Sequence, residues 1–205
     1  VSLSISSKAP VKVISVFIFN IYMYIKKFNL YTRFSLEKML ILVASHVFNS
    51  RNITHLNQAL ESILKNTKSP KAILLSISFE TNDLEKEFSG LKMDDKVKVY
   101  IQPDRYLQFE HYNFIHKQGL VKDDDIVGFL DDDDIMMKNK IEVVSGYFEK
   151  DKDLEILRHE CVQITTENNI KQDEGWCLSE YFCLSMKGVV FNSWFKQTEF
   201  YTDNS

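Results

Sequence analysis

Four consecutive aspartates, Asp131, Asp132, Asp133 and Asp134, stand directly after the short apolar run Ile126-Val127-Gly128-Phe129-Leu130. A buried strand does not hold several ionised carboxylates, because each desolvated charge is costly unless it is paired or bound to a cation. The pattern therefore predicts a strand with the carboxylates emerging at its end. Like charges crowded there repel one another and favour protonation or a bound metal. Oxygen-only ligands suit Mg2+, Mn2+ or Ca2+ rather than zinc, and one or two carboxylates hold Mg2+ while substrate phosphates complete its shell. The plainer reading is a solvated loop or a helix start, where carboxylates also sit well. A second acidic run, Asp123-Asp124-Asp125, precedes the same apolar run and reads as a solvated turn. The later cluster differs by following the run, at the carboxyl end, where open α/β sheets place their ligands.

The elements that must position these residues follow a regular alternation. Residues 39–44 (MLILVA), 72–77 (AILLSI), 97–101 (VKVYI) and 126–130 are short apolar runs, as expected of strands covered on both faces. Between them, Ile53, Leu56, Leu60, Ile63 and Leu64 share one helical face, residues 81–88 suit a short helix, and Phe109, Tyr112 and Ile115 recur at helical spacing. Asn49-Ser50-Arg51-Asn52 can cap the first helix, and Ser69-Pro70 stops it. Ile141, Val144 and Phe148 mark a helix beyond the aspartates. Strand–helix–strand order predicts an α/β fold with a mostly parallel central sheet and helices on both faces. After residue 154 the pattern is less regular. Residues 156–165 and 181–191 suit strands of a mixed C-terminal region, with Trp176 and Trp194 as anchors of a satellite core.

The 205-residue chain can bury a real core, with 44% apolar and 13% aromatic residues, as one domain. Its net charge of −4 provides no basic field for nucleic acid. Cys161, Cys177 and Cys183 contain no C-x-x-C pair, so buried free thiols in a reducing compartment are expected. Residues 13–25 are strongly apolar, lie between Lys12 and Lys26, and fall short of the roughly 20 residues a spanning helix needs. Residues 1–35 are expected to be a peripheral apolar and basic segment, although their β-branched and aromatic content also suits a strand. Residues 36–205 then form the functional domain, with a C-terminus expected to be cut short. The expected location is cytoplasmic, or membrane-associated through the apolar segment.

The order of three pieces resembles family-2-type glycosyltransferases with the Rossmann-like GT-A fold. They are ILVASHVFNS at residues 41–50, ALESILKNT at 59–67 and GFLDDDDIMMKNKIE at 128–142. The resemblance implies transfer of a sugar from a nucleotide-diphosphate donor, UDP first, to a hydroxyl of a glycan or other acceptor, with inversion. It also implies a D-x-D motif at Asp131 and Asp133. Asp133 would ligate Mn2+ or Mg2+ on the donor diphosphate, Asp131 would lie near the ribose or metal, and Asp134 would be an alternative ligand. An inverting reaction needs a carboxylate base for the acceptor hydroxyl. Asp203 resembles that position, with Glu180 or the pair Asp173 and Glu174 as other candidates.

The acidic segment that ends the second strand in this family is missing here. The stretch reads Leu75-Ser76-Ile77-Ser78-Phe79-Glu80, so Ser76, Ser78 or Glu80 must serve the nucleobase. Asp104-Arg105 after the third strand is a candidate donor contact, since Arg suits phosphate oxygens; a surface ion pair is the alternative. His46 and His111 read as structural residues near the same place. Two other classes compete: a phosphatase with an Asp nucleophile, although its motif belongs near the first strand, and a non-catalytic binding or scaffold domain.

Overall fold

A computed structural model of the chain describes residues 13–16, 38–160, 163–164, 170–171 and 182–202. The element order is β1 (Val13–Val16), β2 (Met39–Val47), α1 (Ser50–Leu64), β3 (Ala72–Phe79), α2 (Asn82–Ser89), β4 (Val97–Ile101) and α3 (Gln108–Lys117). There follow β5 (Ile126–Asp131), α4 (Lys140–Lys150), β6 (Ile156–Glu160), β7 (Gln163–Ile164), β8 (Ile170–Lys171), β9 (Phe182–Lys187) and α5 (Gly188–Thr202). Seven strands form one sheet in the order β1-β6-β9-β5-β2-β3-β4, and β7 pairs with β8 separately. Within the seven-stranded sheet β9 runs antiparallel to both of its neighbours and the other pairs are parallel, whereas β7 and β8 are antiparallel. The α/β fold with a mostly parallel sheet is thus as expected.

The strands alternate their side chains between two apolar layers. On one face, Met39, Ile41 and Val43 of β2 pack with Ile53, Leu56, Leu60 and Ile63 of α1 and with Ile141, Val144 and Phe148 of α4. On the other, Leu40 and Leu42 pack with Tyr112 and Ile115 of α3 and with Phe191 and Phe195 of α5. The helix α1 starts where expected, because the Asn49 side chain accepts from the backbone N–H groups of Arg51 and Asn52.

Three expectations need correction. Asp125 is not part of a solvated turn. It is 2% exposed, its carboxylate pairs with the Lys71 ammonium, and it accepts the Lys122 backbone N–H. The strand expected over residues 181–191 stops at Lys187, and α5 begins at Gly188. There the Gly188 and Val189 N–H groups donate to the carbonyls of Asp125 and Asp123, which turns the chain away from the sheet. Phe191 and Phe195, one helical turn apart, are then fully buried, while Trp194 is half-exposed rather than a core anchor. Trp176 lies outside the described residues.

The expected location, cytoplasmic or membrane-associated through residues 13–25, is also corrected. Val13–Val16 is a strand at the edge of the sheet, pairing parallel with β6 from Val13 opposite Ile156 to Val16 opposite His159. Among the described residues, no helix is long and apolar enough to cross a membrane.

Candidate active site at the carboxyl ends of the strands

The chain leaves β2 toward β3 and β4 on one side and reaches β5 on the other, so the sheet has its switch point between β2 and β5. Ligands of open α/β sheets bind outside the strand ends at such a point. Ala44 of β2 lies in register with Asp131, the last residue of β5. The acidic turn therefore begins at the switch point.

Strand alternation sends the first two aspartates to opposite faces. Val127 and Phe129 point into the α3–α5 layer, whereas Ile126 and Leu130 point into the α1–α4 layer. Asp131 continues the first series, and its Oδ1 accepts a hydrogen bond from the Gln108 side-chain amide at 2.6 Å. Asp132 continues the second, and its carboxylate accepts from the hydroxyl of Ser45, a residue 3% exposed on β2. Burial lifts the Asp132 carboxyl above its ordinary value; the Ser45 hydrogen bond pulls the other way, and the charges of Asp133 and Asp131 add to the rise. Asp133 and Asp134 are exposed, and the Asp134 N–H closes the turn on the Asp131 carbonyl at 3.2 Å.

Among the described residues, no cluster of three or more His, Cys, Asp or Glu is arranged to hold a metal. Asp131, Asp133 and Asp134 therefore do not form a protein-only cage. An all-oxygen turn beside a carboxyl raised mainly by burial, with the neighbouring charges adding to the rise, fits the other mode, in which a hard cation takes one or two carboxylates and completes its shell from phosphate and water.

A second polar group stands across β2, on the α3 face. His46 Nδ1 lies 2.8 Å from Ser78 Oγ, and His46 Nε2 lies 3.1 Å from Glu80 Oε2. His111 reaches the same strand from α3, with Nδ1 at 2.8 Å from Ser76 Oγ and Nε2 at 3.5 Å from Ser78 Oγ. Gln102, just past β4, donates to Ser76 Oγ at 3.0 Å. His111 is 1% exposed. Burial depresses its imidazole to about 4, helped by the nearby His46 and opposed by Glu110.

Of the expected donor residues, Ser78 and Glu80 thus meet directly through His46. Arg105 joins them through aromatic contacts: its guanidinium lies 5.0 Å over the Phe48 ring, whose edge meets His46 at 4.5 Å between centroids. Asp104 is exposed in the same loop, and among the described residues no ion pair joins it to Arg105. Asp203, Glu180, Asp173 and Glu174 lie outside the described residues.

Sequence reasoning passed over Ser45, Gln102 and Gln108, and it took His46 and His111 for structural residues. A signal existed for part of this. Ser45, Ser76 and Ser78 interrupt otherwise apolar strands near their carboxyl ends, where a buried hydroxyl needs a partner. Gln108 carried none.

The family model for glycosyl transferase family 2 matches residues 43–198, well over half of the chain. The chain belongs to glycosyltransferase family 2. The matched region runs from the second half of β2 through β5 and contains the acidic turn and most of α5. No curated protein matches this family 2 chain. Among solved structures it is similar to S. aureus TarS, at 16% identity and a TM-score of 0.39 over 55% of this chain and 20% of that one. It is also similar to TarS 1-349 in complex with UDP-GlcNAc, at 16% identity and a TM-score of 0.39 over 55% of this chain and 31% of that one. A third is the 4-diphosphocytidyl-2C-methyl-D-erythritol synthase of Anaerococcus prevotii DSM 20548, at 10% identity and a TM-score of 0.46 over 79% and 75%. The family 2 chain spans a third or less of the length of these TarS chains.

Proposed function

We propose that this family 2 domain, from about residue 36 onward with Val13–Val16 as an added edge strand, transfers a sugar from a nucleotide diphosphate to an acceptor hydroxyl. The observation that supports this most is the pairing of two unlike groups at one sheet edge. An acidic turn suited to a cation and diphosphate stands beside a mixed set of hydrogen-bonding and charged groups, His46, Ser78, Glu80 and Arg105, suited to a nucleoside.

In this reading Asp133 and Asp131 hold Mn2+ or Mg2+, with Asp134 as an alternative ligand. The cation, when bound, neutralises charge gathering on the departing diphosphate. Gln108 fixes the Asp131 carboxylate, and Ser45 fixes the turn through Asp132. Arg105 would meet phosphate or base edges, with Asp104 beside it; the Arg105 guanidinium over Phe48 supports this. Asp203 is the candidate base that takes the acceptor proton while attack comes from the face opposite the leaving group. α5 packs against α3, Asn192 near His116 and Phe195 near Phe109, so it runs antiparallel to α3 and carries the chain toward the edge that bears Asp131.

The test is thermal melting with Mn2+ and a panel of nucleoside diphosphates. Mn2+ with UDP is expected to raise the melting temperature of the wild type and to leave Asp133→Ala unchanged. Asp203→Asn is expected to bind donor and lose transfer. Melting insensitive to every combination would favour the non-catalytic scaffold instead.

A further inference from the structure

We propose that His111 is a positioning residue that acts through Ser78 to hold His46 as the Nε2–H tautomer, which in turn orients the Glu80 carboxylate at the carboxyl-end rim of the sheet. The part played toward a nucleotide rests on the donor reading above; the relay itself does not.

Hydrogen-bond accounting sets the direction from the Glu80 end, and the other end agrees with it. There, the Gln102 amide donates to Ser76 Oγ, which leaves the Ser76 hydrogen available to His111 Nδ1, 2.8 Å away. A neutral His111 that accepts at Nδ1 carries its proton on Nε2, which faces Ser78 Oγ. At the Glu80 end, the carboxylate only accepts, so His46 Nε2 carries a proton. A neutral His46 then accepts at Nδ1, and the group 2.8 Å away is the Ser78 hydroxyl. Both lines meet at Ser78, which receives from His111 and gives to His46. Every donor in the series Gln102, Ser76, His111, Ser78, His46, Glu80 points the same way. A doubly protonated His46 would instead crowd two N–H donors onto Ser78 and leave its hydroxyl hydrogen without an acceptor in this set.

Burial favours a neutral His111. Ser76 and Ser78 are fully buried, and the Tyr106 ring covers His111 at 5.4 Å. The charged groups facing the relay are Glu80 beyond β3, Glu110 on α3 and the Arg105 guanidinium through Phe48. Glu80 is exposed while His46 is nearly covered, so the series begins in the interior and ends on the surface.

The experiment is long-range proton–nitrogen NMR of the histidine-labelled chain at pH 7.5, with UDP calorimetry in Mn2+ alongside. Both imidazoles are expected as Nε2–H in the wild type. Ser78→Ala, which removes one hydroxyl, and His111→Asn, whose amide mimics only the Nδ1 side, are expected to let His46 populate the Nδ1–H form. His111→Gln, whose amide reaches Ser78, should restore the wild-type pattern. His46 found as Nδ1–H or doubly protonated in the wild type, or unmoved by Ser78→Ala, overturns the proposal. Moved His46 signals with UDP affinity equal in wild type and Ser78→Ala overturn the positioning role. Absence of UDP binding by the wild type counts against the donor reading alone, and the spectra still decide the relay.

Discussion

Asp131 and Asp132 are adjacent in the chain and are held from opposite faces of the sheet, Asp131 by Gln108 of α3 and Asp132 by Ser45 of β2. One peptide unit thus divides two duties. The first carboxylate stays at the exposed rim with a fixed orientation, and the second is turned inward as an anchor.

Replacing Gln108 by Leu removes the donor that orients Asp131. Groups that hydrogen-bond a metal ligand are worth roughly 10–100-fold in metal affinity. Mn2+ affinity by calorimetry is expected to fall at least about tenfold. Gln108 is exposed, so the melting temperature should hardly move. Equal Mn2+ affinity in the two proteins would remove Gln108 from the site.

Asp132→Asn keeps an acceptor for Ser45 and removes a charge that burial disfavours. The folded value is raised above the ordinary 3.8, so the penalty is absent below that value, grows through the interval up to the folded value, and is complete above it. In chelator at pH 7, Asp132→Asn should therefore melt higher than wild type, and the difference should vanish near pH 3. A lower melting point at pH 7 would mean that the ionised form is favoured in the fold.

His111 makes the domain sensitive to acid. Its folded value is depressed to about 4 from 6.5, so the unfolded chain takes up the proton first. This share of stability is complete above about pH 6.5 and is lost as pH falls toward 4, at most on the order of 3 kcal/mol. Melting curves of His111→Gln should show a shallower decline over that interval. Parallel declines would place the acid sensitivity elsewhere.

Two glycines make a matched comparison. A Cβ on Gly188 would sit 1.9 Å from the Lys122 carbonyl oxygen, a backbone atom that cannot step aside cheaply, whereas a Cβ on Gly146 in α4 meets nothing within 4 Å. Gly188→Ala should destabilise strongly in urea unfolding. Gly146→Ala should stabilise by about 0.5–1 kcal/mol through helix propensity.

The sheet was legible because parallel strands covered on both faces are written as continuous apolar runs; residues 97–101 match β4 at both ends. The acidic turn was legible because charge cannot follow such a run into the interior. Asp125 misled for the converse reason: within a trio of aspartates it looked solvated, and its partner Lys71 is distant in sequence. Gln108 gains its meaning only when the start of α3 meets the end of β5, which no local pattern records. Gly188 shows the same limit, since the switch from strand to helix is set by carbonyls of residues 123 and 125.

The seam between Val13–Val16 and β6 joins positions as far apart as Val13 and Ile156. Closing so long a loop is entropically uphill until the partner strand exists, and such distant pairings slow folding. During synthesis the block from β2 to β5 can assemble while the first strand waits, unpaired, for more than a hundred further residues to emerge.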